Sequence, residues 1–90
     1  DYMILLDERG SSISSEDFSL HLFSKLREVP GRILFVIGGP FGVSEEVRLR
    51  SDETISLSKM TMTHEMCLLF LSEQIYRAVM IERNSPYHHR

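Results

Sequence analysis

Apolar and polar positions divide the chain into alternating strand-like and helix-like segments. "YMILL" at residues 2–6 is an unbroken apolar run of strand length, the pattern of a strand covered on both faces. "DERG" follows and reads as the turn that ends it. Ser14 then offers a helix N-cap, with Asp17 three residues on to favour the first turn. Phe18, Leu22, Leu26 and Val29 recur at helical spacing and predict an amphipathic helix over 15–28, stopped by Pro30 and Gly31. "RILFVI" predicts a second buried strand, and "FVIGGPFG" runs from it into a glycine-rich loop. "SEEVRLR" predicts a short helix capped by Ser44, and "ETISL" a brief third strand. "SKMTMT" is polar and irregular, and a long helix is expected from His64 to about Arg83, capped by Thr63.

That last helix has two halves. "MCLLFL" is apolar at every position, so it should be surrounded by protein. The second half becomes amphipathic through Ile75, Ala78, Val79 and Glu82. Either the chain threads this helix through its own fold or a second subunit covers it. The order strand–helix–strand–helix points to an α/β fold with a parallel sheet.

Composition narrows the function classes. Ninety residues allow one small domain, and hydrophobic and charged shares of 42% and 26% are those of an ordinary globular protein. A formal net charge of −3 argues against a general electrostatic grip on nucleic acid. Basic residues nevertheless gather toward the C-terminal end, at Arg77, Arg83, His88, His89 and Arg90, which makes that end the expected RNA face. The single cysteine, Cys67, excludes an internal disulfide and a multi-cysteine zinc site, and its apolar setting predicts a buried, inert thiol. No apolar stretch reaches membrane-spanning length and no basic leader opens the chain, so a cytoplasmic or organelle-interior location is expected.

The glycine loop is the first candidate site. Gly38-Gly39-Pro40-Phe41-Gly42 fits neither the dinucleotide fingerprint nor the P-loop, and no lysine is present to meet a phosphate. It is either a tight turn needing positive φ or the place where a ligand passes close to the backbone. "ISLSKMTMTHEM" at 55–66 is either a polar loop with two methionines tucked inward or an adenosyl site, with backbone amides on the adenine edge and Leu and Met on its faces. His64, alone at a helix start, reads as structural. The terminal Tyr87-His88-His89 is not core material. Two adjacent histidines are a weak metal signal, and no metal is called. No serine sits on a nucleophile elbow.

Six segments, "LLDERG", "FVIGGPFG", "ISLSKMT", "THEM", "EQIYRA" and "PYHHR", resemble in order and spacing the C-terminal part of the RlmH family of SPOUT-superfamily methyltransferases. The likeness covers essentially all 90 residues. It implies a single domain over 1–90, lacking the family's N-terminal βα portion, with a parallel sheet and a C-terminal trefoil knot. It implies an S-adenosylmethionine-dependent enzyme that methylates N3 of a pseudouridine in large-subunit ribosomal RNA, working as a homodimer on the large subunit or assembled ribosome. Carried over, the cofactor contacts fall on Leu6, Gly38, Leu57, Ser58, Lys59, Met60, Thr61 and Met62. Tyr87 and His88 fall on the substrate side. His88 is the first candidate for the proton acceptor that an imide nitrogen requires, with Arg77 the alternative as a stabilising cation. The competing reading is a non-catalytic dimeric remnant that binds RNA or protein.

Overall fold

The apolar runs become three parallel strands, and the amphipathic segments become the helices that cover them. In the computed structural model, which describes residues 1–38 and 42–84, the elements are β1 (Tyr2–Ser12), α1 (Ser15–Glu28), β2 (Ile33–Ile37), α2 (Glu45–Arg50), β3 (Glu53–Ser56) and α3 (His64–Glu82). The sheet order is β2-β1-β3, so the first strand is the central one. It pairs parallel with β2 from Tyr2↔Ile33 to Leu6↔Ile37, and parallel with β3 from Ile4↔Glu53 to Leu6↔Ile55. This central position is why "YMILL" is apolar without alternation: Ile4, Leu5 and Leu6 are buried on both faces.

Each predicted cap forms. Ser14, Ser44 and Thr63 accept hydrogen bonds from the backbone N–H groups of Asp17, Val47 and Met66, opening α1, α2 and α3. One face of the sheet meets α1 and α3, where Ile4, Leu6, Phe18, Leu22, Ile55, Leu71 and Ala78 make the core. The buried hydroxyl of Ser19 donates to the carbonyl of Ala78 at 2.8 Å, tying α1 to α3 inside that apolar layer.

One expectation fails. "DERG" does not end β1. The strand runs on to Ser12, and its pairing with β3 resumes at Ser11↔Ile55 after Leu6↔Ile55. Residues 7–10 are therefore an excursion inserted into a strand. A closed Asp7–Arg9 ring of hydrogen bonds, with lysine support from the loop after β3, replaces the ladder there. "MCLLFL" is only partly covered within one chain, which leaves the second-subunit alternative open. Leu71 is buried and Cys67 and Phe70 half-buried, while Met66, Leu68 and Leu69 are at least half exposed. A single chain covers one stripe of α3 and leaves the rest of its apolar surface open.

Candidate cofactor cavity

The carboxyl ends of all three strands open on one cavity of about 980 Å³. Open α/β sheets bind ligands at that edge, because the strands end there and the connecting loops fan apart. Leu6 closes the regular part of β1 and Ile37–Gly38 leave β2. Leu57, Ser58, Met60, Thr61 and Met62 follow β3, and Thr63, His64, Glu65 and Cys67 begin α3. The excursion adds Asp7, Glu8 and Arg9 to the lining.

The glycine loop contributes differently from what was expected. A side chain at Gly38 would meet Val43 Cγ1 at 3.1 Å and the Gly42 carbonyl carbon at 3.3 Å. The near neighbour of Gly38 is thus the returning chain. Gly42 has φ +83°, which a side chain rarely adopts, so the loop needs glycine at both ends for two separate reasons. Gly39, Pro40 and Phe41 lie outside the described residues.

Of the eight positions carried over as cofactor contacts, seven line the cavity: Leu6, Gly38, Leu57, Ser58, Met60, Thr61 and Met62. Lys59 does not. Its ammonium donates to the carbonyls of Glu8 and Gly10, at 3.0 and 2.7 Å. Arg77 is also elsewhere. It is held by Glu73 on the outer part of α3, and thirteen residues of helix separate it from His64, about 20 Å at helical rise. Tyr87 and His88 lie outside the described residues.

The cavity's electrostatics are set mainly by the excursion. Asp7 accepts from the Arg9 guanidinium and backbone N–H, and from Arg48 at 3.3 Å. The Arg9 hydrogen bonds lead in lowering its carboxyl to about 2, with Arg48 adding to them, so Asp7 is ionised throughout the physiological range. Burial pushes the Cys67 thiol up, leaving it a poor nucleophile. Among the described residues, no three His, Cys, Asp or Glu side chains gather as a metal site, and no helix is long and apolar enough to cross a membrane.

Motif reading passed over Asp7, Glu8 and Arg9 because "DERG" looks like a turn, and it set His64 aside as a capping-region residue. The available signal was position: both segments border the carboxyl edge of a parallel sheet. Apolar walls from Leu6, Ile37, Leu57, Met60 and Met62, with carboxylates at the rim, suit a flat aromatic group joined to a cationic one.

Comparison with known proteins agrees with this geometry. A family model described as "Predicted SPOUT methyltransferase" matches residues 1–88. The chain belongs to that family. Its curated relatives include proteins named "Ribosomal RNA large subunit methyltransferase H". Those from Christiangramia forsetii and Parabacteroides distasonis are 53% identical over 90 and 89 residues, and that from Dictyoglomus thermophilum is 51% identical over 89. These alignments take in 99–100% of this SPOUT-family chain but only 57–58% of the relatives' own length. The expectation that this stretch is the relatives' C-terminal part is not borne out by the match, which establishes the share alone.

Proposed function

We propose that this chain forms the S-adenosylmethionine-binding part of a methyltransferase acting on N3 of a pseudouridine in large-subunit ribosomal RNA. The observation that carries the proposal is the cavity of about 980 Å³ at the carboxyl edge of a parallel sheet, lined by seven of the eight carried-over positions. Its size and mixed apolar and acidic lining suit an adenosyl group attached to a cationic sulfur. When bound, the cofactor supplies a methyl group on that positively charged sulfur.

The chain's own residues have defined tasks in this reading. Leu57, Met60 and Met62 flank the adenine, and Leu6 closes the floor. Glu8 and Glu65 offer carboxylates to a cationic ligand, whereas the Asp7 carboxylate is already paired with Arg9 and Arg48. Holding two reactants in one geometry supplies most of the rate. His88 takes the proton from the imide nitrogen. Arg77, placed far along α3 from its own cavity, serves the cavity of a second copy. The open apolar stripe of Met66, Leu68 and Leu69 supports that homodimer, and a trefoil knot that threads the chain near the 38–42 loop belongs to the same reading.

Mass spectrometry of large-subunit ribosomal RNA from a strain deleted for the gene tests the substrate. Loss of one methyl on pseudouridine, restored by the gene, is the expected outcome. An unchanged methyl mark overturns the substrate assignment and favours a non-catalytic dimeric role.

A further inference from the structure

We infer that Lys59 is a positioning residue that sets the shape of the cavity's mouth by latching the β1 excursion to the loop after β3. Residues 7–10 have no partner in either strand register, so their carbonyls are open to donors from elsewhere. Lys59 provides them, donating to Glu8 O at 3.0 Å and Gly10 O at 2.7 Å. Thr61 adds a parallel tie, its hydroxyl donating to the Glu8 carboxylate at 3.1 Å. These contacts span 49 to 53 residues of sequence, so they join two walls that the chain itself does not connect locally.

The placement gives the latch its consequence. Glu8 and Arg9 line one wall; Ser58, Met60 and Thr61 line the other. Lys59 lies in sequence between the members of the second wall, and its ammonium bonds the backbone of the first. A charged donor shared by two carbonyls is stronger than a neutral one, and its removal leaves both carbonyls to water. Freed from Lys59, the excursion can swing away, and the cavity loses a fixed width at the acidic rim.

The inference rests on the cofactor reading of the cavity, and its test separates the two. Lys59→Met keeps an unbranched side chain only one atom shorter and removes its donors; Lys59→Arg restores a cation with donors. Amide hydrogen exchange is measured on the ligand-free protein, and affinity for S-adenosylhomocysteine by calorimetry. In Lys59→Met, exchange of the Arg9 amide, which donates to Asp7, rises and affinity falls, each by roughly tenfold, since two charge-assisted hydrogen bonds are lost. Lys59→Arg recovers most of both. Thr61→Val moves exchange in the same direction by a smaller factor. Unchanged exchange in Lys59→Met overturns the latch, and weaker binding with unchanged exchange identifies Lys59 as a direct ligand contact instead. Faster exchange with unchanged affinity overturns its influence on the mouth. Absence of binding by the unsubstituted protein is a failure of the cofactor reading, and exchange still decides the latch.

Discussion

Leu6 and Ser11 stand opposite the same residue: both pair with Ile55 of β3. Four residues that look like a turn are thus a detour within one strand, and the detour carries Asp7, Glu8 and Arg9 to the edge of the cavity. The detour depends on close approach at its far end. A side chain on Gly10 would sit 2.8 Å from the Ile55 carbonyl carbon and 2.9 Å from that of Thr54. Both are backbone atoms of β3 and cannot rotate aside. Gly10→Ala is therefore expected to destabilise the protein by about 1–3 kcal/mol, as overpacking does. A urea unfolding midpoint equal to that of the unsubstituted protein contradicts this.

Asp7 makes the detour sensitive to acid. Its folded pKa, about 2, is below the unfolded carboxylate value near 4, so its stabilisation is present above pH 4 and lost as pH falls toward 2. Chemical unfolding across that window should show a shallower decline in Asp7→Asn than in the unsubstituted protein. Parallel declines contradict the assignment.

Tyr2 behaves oppositely, at the other edge of the sheet. Burial, followed by its hydrogen bond to Glu53, pushes its phenol up to about 12. His21 holds the other oxygen of the same carboxylate at 2.6 Å. A raised folded pKa means that the stabilisation is complete below pH 10 and lost as pH climbs through 12. Ultraviolet titration of phenolate should show a late-titrating component that is absent in Tyr2→Phe. Loss of an ordinary tyrosine in that variant argues against the buried hydrogen bond.

Ser19 is a polar atom in the core with a single task. Ser19→Ala removes its bond to Ala78 and should cost about 1 kcal/mol in unfolding free energy. A neutral result means that this hydrogen bond adds no net stability to the α1–α3 contact, which Ser15 and Gln74 also bridge.

The sequence carried most of the fold in local terms. Ser14, Ser44 and Thr63 cap the helices that their spacing announces, and the unbroken run at Ile4–Leu6 marks a central strand. The detour was illegible because its cause is non-local: Lys59 and Thr61 hold it from some fifty residues away. Gly38 was legible as a close approach, but sequence alone does not say that the approaching group is Val43 and Gly42 of the same loop. Lys59 shows the same limit. Ser58 and Met60 on either side of it line the cavity, while its own ammonium bonds the carbonyls of Glu8 and Gly10, so a motif carried over whole mixes wall residues with one that ties the wall.

The cavity itself is tested most directly by the methionine methyl groups. Met60 and Met62 line it, whereas Met3 lies in β1 and Met80 far along α3. With all five methionines carbon-labelled at the methyl, addition of S-adenosylhomocysteine to the folded protein should shift the Met60 and Met62 resonances and leave Met3 and Met80 in place. Unmoved Met60 and Met62 resonances at millimolar ligand contradict the account.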